Sequence, residues 1–175
     1  MTVHRQLIYS YAYLAMAMRR SLKDAKESQI EPFVECMTAL LYAALVVEAF
    51  INHAGEQIFP FWLPLKKKLS PTEKIEICAA SKNLKIDWGA RPFQSVASVM
   101  LFRNMIVHAD SHAVETKHLY DSATPGNKTW HSYCKLPVAQ RICEDVESML
   151  KQMPELFAFT IPPEFLLSEG IGSNA

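Results

Sequence analysis

The sequence predicts an all-α fold: a helical bundle of four long helices plus a short one, with a loop or small hairpin inserted between the last two long helices. Three observations predict it. Prolines and glycines cut the 175 residues into pieces, and within most pieces the apolar residues recur every three to four positions, which puts them on one face of a helix. The five glycines all sit where breaks are expected. Few of the connections suit strands. Half of the residues are apolar, enough for one domain with a sizeable core.

In the first piece Leu7, Tyr11, Leu14, Met18, Leu22 and Ala25 repeat at helical spacing, while Arg19, Arg20, Lys23 and Asp24 fall toward the other side. The second runs from about Pro32, acceptable where a helix's first N–H needs no partner, to Gly55, a natural terminator. It is apolar nearly all round, hence central. A Pro-rich aromatic connection (Phe59 to Pro64) and the run Lys66, Lys67, Lys68 follow. Ser70-Pro71-Thr72-Glu73 is then a capping box with proline at the first helical position, and it opens the short helix.

Pro92 opens the next long helix, from Phe93 to about His108, whose apolar middle should lie against the second. From Asp110 to Leu136 the helical period disappears. Thr124-Pro125-Gly126-Asn127 supplies turn chemistry between Lys117 to Asp121 and Lys128 to Cys134, so a hairpin or irregular loop is expected. Pro137 restarts a helix with Val138, Ile142, Val146, Met149 and Met153 on one face and Glu144, Asp145, Glu147 and Lys151 largely away from it. The expected boundary is Pro154: residues 1–153 form the bundle and residues 154–175 a C-terminal tail. Phe157, Phe159, Phe165 and Leu166 leave open whether that tail packs on the bundle or binds a partner.

Composition removes several function classes. Eighteen Lys and Arg balance eighteen Asp and Glu, so no overall basic field draws a polyanion, and nucleic-acid contact would need a local patch. The scarce glycines leave no Rossmann or P-loop phosphate cradle. Cys36, Cys78, Cys134 and Cys143 lack C-x-x-C spacing and read as small core residues, and no secretory signal opens the chain, so a reduced, cytoplasmic protein is expected. The longest apolar run, Ala39 to Ile51, contains Glu48 and falls short of the about 20 residues a bilayer span needs. No membrane association is expected.

Two charges stand out in apolar helices: Glu48 in the second and Arg103 in the fourth long piece. Burying an unpaired charge costs several kcal/mol, so helices that pack together should let the two meet. Asn52 follows Glu48 by four residues and His108 follows Asn104 by four, spacings that share a helix face. A polar seam of Glu48, Asn52, Arg103, Asn104 and His108 is the expectation.

The string Leu101-Phe102-Arg103-Asn104-Met105-Ile106-Val107-His108 has the form R-N-x-x-x-H on an apolar helix. Placed near the end of the next-to-last long helix, it resembles the R-x(4 to 6)-H motif of the HEPN superfamily, the higher eukaryotes and prokaryotes nucleotide-binding domains. Ala43 to Asn52 looks like the core helix of many such domains, and the resemblance covers about residues 5 to 153. It implies a HEPN-like bundle and a metal-independent endoribonuclease of toxin–antitoxin, abortive-infection or RNA-processing type, with Arg103, Asn104 and His108 as the matched positions. It also implies a homodimer through the helix that carries them. The alternative within the superfamily is a non-catalytic module that binds a nucleotide or a protein partner, such as an antitoxin or a nucleotidyltransferase.

The residues suit that chemistry. RNA brings its own nucleophile, the 2′-hydroxyl, so cleavage needs a base, an acid and positive charge at the phosphorus, and no cofactor or metal. Histidine exchanges protons near neutrality and guanidinium offers a planar fork matched to phosphate oxygens, roles open to His108 and Arg103. Asn104 would orient the histidine or a phosphate oxygen, while Glu48, with Asn52, supports Arg103. One motif supplies one titrating group, and a twofold dimer would supply the second. Leu63 to Arg91, with seven cations against three acids, is the basic stretch available to RNA, although a solvated loop explains its lysines as well. His108 and His112 have metal-ligand spacing if the helix continues, with Asp110, His118 or Cys134 as further donors, yet H-E-x-x-H is absent and no metal is assigned.

Overall fold

The structure, a computed structural model, describes residues 8–108 and 130–161. It is all-helical, and no strand occurs among the described residues. In chain order the helices are α1 (Ser10–Glu27), α2 (Phe33–Ile58), the single turn α3 (Trp62–Leu65), α4 (Pro71–Ala80), α5 (Phe93–Val107) and α6 (Leu136–Phe157). A 3₁₀ turn, Trp130–Cys134, precedes α6.

α2 is the hub. By length and apolarity alone it could cross a membrane, but here α1, α4, α5 and α6 all pack against it. Leu40, Ala43, Val46, Val47, Phe50, Ile51 and Ala54 are fully buried beneath them. The expected face of α1 is buried at Tyr11, Met18, Leu22 and Ala25, joined by Ala15. Arg19 reaches from α1 to Glu147 on α6 with paired bonds of 2.7 and 2.9 Å. All four cysteines are buried and free.

The helix boundaries differ from expectation in three places. Gly55 does not end α2; the helix runs on to Ile58, and the glycine instead admits Trp62, since a β-carbon at 55 would lie 2.0 Å from the indole ring. Trp62 is buried there and stacks on Phe59 at 5.6 Å, so the aromatic connection folds back onto the core. α6 passes through Pro154, which removes one N–H bond and crowds the carbonyl four residues back; Met153 and Phe157 on either side are fully buried, and their packing offsets that cost. Ala158 then adopts a left-handed conformation (φ 53°) that reverses the chain and lays Phe159 against Phe50. Trp130–Cys134, in the stretch expected to be a hairpin or an irregular loop, is a 3₁₀ turn packed through Phe33 on α2 and Phe102 on α5; the rest of that insertion lies outside the described residues.

The capping box forms as expected. Ser70 donates its N–H to Glu73 Oε2 (2.7 Å) and its hydroxyl oxygen accepts from the Glu73 N–H (3.3 Å). This fixes where α4 begins and therefore which of its residues face α2.

Candidate functional site

The packing of α2, α4 and α5 brings three charges together. Glu48, a little past the middle of α2, directs Oε2 to Arg103 Nη2 on α5 at 3.9 Å and Oε1 to Lys74 Nζ on α4 at 3.7 Å. The expected meeting of Glu48 and Arg103 is therefore present, and a cation absent from the expected set joins it. Both separations exceed hydrogen-bond length, so these are ion pairs without a shared proton. Lys74 is fully buried, whereas the Glu48 and Arg103 side chains are each about one-third exposed, at 34% and 36%. The cluster thus runs from the interior to the surface.

Burial pushes the Lys74 ammonium below the ordinary lysine range; the charge of Glu48 works against this and the nearby Lys66 adds to it. No hydrogen bond satisfies Lys74 Nζ among the described residues. Glu48 is its counter-ion.

Arg103 continues the line outward. Its Nη1–H donates to Asn104 Oδ1 at 3.1 Å, and Asn104 is exposed. His108 terminates α5, its backbone N–H bonded to the Asn104 carbonyl at 3.1 Å, and is exposed as well. Asn104 and His108 share a helix face, whereas Arg103 and His108 stand about 140° apart around the axis at about 100° per residue. The five-residue seam through the apolar interior is therefore corrected. Phe102 and Val99 take the α5 positions that face the core, which leaves Asn104 and His108 outside. Asn52, one turn past Glu48, joins neither charge: it lines a groove with Tyr9, Tyr11 and His53 at the start of α1, and its Oδ1 is buried with no described partner.

His53 belongs to a separate cluster. Gln57 accepts the Thr160 N–H (3.1 Å) and donates to the Thr160 carbonyl (2.8 Å), with His53 Nε2 2.7 Å from its amide nitrogen. This pins the chain after α6 to α2.

The basic stretch from Leu63 to Arg91 is not a single patch. Lys66 pairs with Glu56 at 2.7 Å, Lys74 is buried, and Arg91 is bound to Asp145; Lys67, Lys68, Lys82 and Lys85 remain exposed. Asp145 also departs from the solvent-facing position expected of it. It is buried, accepting from Arg91 Nε (2.8 Å) and Nη2 (2.7 Å) and from Ser95 Oγ (2.5 Å). Burial alone would raise its carboxyl, but the Arg91 and Ser95 hydrogen bonds and the Arg91 charge carry it below the ordinary range.

Lys74 and Asp145 are the two charged residues that sequence reasoning misplaced. A signal existed for each. Lys74 precedes the buried Cys78 by four residues, and Asp145 falls three after Ile142 and four before Met149, so both lie within the apolar rows of their helices.

Among the described residues no group of three or more His, Cys, Asp or Glu side chains could hold a metal; His112, Asp110 and His118 lie outside them. Comparison with family models, curated proteins and solved structures gives no match to this chain.

Proposed function

We propose that the chain is a metal-independent endoribonuclease of HEPN type, acting as a cytoplasmic toxin or defence effector. The observation that carries the reading is the Glu48 carboxylate reaching Arg103 across two packed helices, with Asn104 on that guanidinium and His108 one turn beyond Asn104. A guanidinium that is partly exposed and held by a carboxylate is oriented for phosphate oxygens. In the reaction the RNA 2′-oxygen attacks phosphorus as its proton is withdrawn, the 5′-oxygen leaves with a proton, and a 2′,3′-cyclic phosphate forms. Arg103 stabilises the charge that develops on the phosphoryl oxygens, and His108 moves a proton.

A single His108 serves one side of the phosphorus. The outer face of α5, with Leu101 and Val107 about half exposed beside Asn104 and His108, suits a second copy that would bring the other imidazole. The test is incubation of the purified protein with RNA, with and without EDTA, followed by analysis of the ends. Fragments with cyclic phosphate termini in both conditions support the reading, and His108→Ala should slow their release by about 10²- to 10⁴-fold. RNA that stays whole in both overturns it.

A second reading, a non-catalytic module binding a nucleotide or a protein partner such as an antitoxin, is favoured by one observation. Arg103 is anchored on two sides, whereas no described side chain holds the exposed His108 ring. Under that reading Arg103→Ala weakens ligand binding while His108→Ala leaves it unchanged.

A further inference from the structure

The same chain closes two other arginines on carboxylates. Arg19 meets Glu147 at 2.7 and 2.9 Å, and Arg91 meets Asp145 at 2.7 to 3.0 Å, each with both prongs of the fork engaged. Arg103 does not close on Glu48. Its nearest approach is 3.9 Å through one nitrogen, with both side chains about one-third exposed. Something keeps the carboxylate from turning fully to the guanidinium.

Lys74 accounts for this. Its ammonium is completely buried and, among the described residues, makes no hydrogen bond and has Glu48 as the one carboxylate within ion-pair distance. An ammonium in that position cannot turn to water, so Glu48 must serve it first. One oxygen of the carboxylate faces each cation. Two positive charges share one negative charge, and the cluster retains a net charge of +1, directed outward through Arg103.

We propose that Lys74 is a positioning residue that, by engaging Glu48 from the interior, keeps the Arg103 fork open to a phosphate group of a nucleic acid chain. This rests on the reading of Arg103 as a phosphate contact and is independent of any role for His108. Without Lys74 the carboxylate swings onto Arg103, the pair becomes neutral and bidentate, and the receptor closes. Without both Lys74 and Glu48 the arginine is again uncompensated, and the receptor reopens.

That reciprocity gives the test. The probe is a fluorescent single-stranded DNA oligonucleotide, which lacks the 2′-hydroxyl and cannot be cleaved by transesterification, titrated at fixed ionic strength with wild type, Lys74→Met, Lys74→Met with Glu48→Gln, and Arg103→Ala. Lys74→Met removes a buried charge for an apolar chain of similar length and should fold. It should weaken binding about tenfold, and the double variant should return to within about threefold of wild type. A merely structural lysine would not be rescued by changing its partner. Equal affinity of wild type and a folded Lys74→Met overturns the proposal, as does a double variant no better than Lys74→Met.

If Arg103→Ala binds as wild type does, the phosphate contact and the proposal fall together. If the charge pattern holds while RNA stays whole, the proposal stands and the nuclease reading falls. Competition by inorganic phosphate separates the two sources of the group. Millimolar phosphate that leaves the complex intact supports a chain phosphodiester, and displacement at that level overturns the chain in favour of a free phosphate. An oligonucleotide that wild type does not bind overturns the proposal outright.

Discussion

Helix α5 has a charge cluster near each end, and they are built in opposite ways. Near its start, Asp145 accepts three short hydrogen bonds from Arg91 and one from Ser95, and the carboxylate is buried. Toward its end, Glu48 stands 3.7 and 3.9 Å from two cations, makes no hydrogen bond to either, and reaches solvent. A polar group that leaves water is stable when its bonding capacity is filled, as Asp145 is. The other cluster has capacity left over, and it faces outward. The first behaves as a fastener between α5 and α6, and the second is the receptor proposed above.

Substitutions can break that contrast, and the largest effect is expected at the fastener. Asp145→Ala should destabilise the fold by about 3 kcal/mol, the scale for dismantling a buried, hydrogen-bonded charge network, read as a lower urea midpoint with an unchanged slope. Oligonucleotide binding by the folded fraction should not move. At the receptor, Glu48→Gln strands the buried Lys74 ammonium and should cost about 2 kcal/mol near neutral pH.

The second loss depends on pH. Lys74 titrates below the ordinary lysine range in the folded state, so between the two values the unfolded chain binds more protons and stability rises with pH. Glu48→Gln removes the charge that opposed this shift. Its destabilisation should therefore shrink between pH 7 and pH 10, whereas that of Asp145→Ala should stay level. Urea midpoints at the two pH values check it, and parallel losses for both variants would erase the distinction.

A smaller effect lies on the acid side. The Asp145 carboxyl is held below its ordinary value, so its stabilisation is complete above about pH 4 and fades as pH falls through the folded value. Asp145→Asn should accordingly differ less from wild type at pH 3 than at pH 6. The smallest effect concerns the thiols. Burial pushes Cys78, Cys134 and Cys143 up to about 12, so a thiol reagent at pH 8 should label them only as the chain unfolds, with all four cysteines reacting in denaturant.

The helices were legible because their causes are local. The apolar spacing of α1 and α6, the Ser70 capping box and Pro92 ahead of α5 each act within a few residues of themselves. The pairing of Glu48 with Arg103 was legible for a different reason: two lone charges in apolar helices had few other places to go. Gly55 was misjudged because its role depends on an indole seven residues later folding back, which no local pattern announces. Asn52 shared a helix face with Glu48 yet served another groove, since a single face of α2 meets different neighbours along its length. Lys74 and Asp145 were less legible because a charged side chain ordinarily faces water, and only its place in an apolar row of its helix points inward.

The contact between Trp62 and Gly55 has a consequence for the lysines beyond it. An indole lying flat on a position bare of side chain is a key in a keyway: the segment after α2 is indexed to one rotation of that cylinder, not merely tethered to its end. The exposed Lys67 and Lys68 thus follow, a few residues on, a ring seated in the body of the bundle, and not the loose end of a helix.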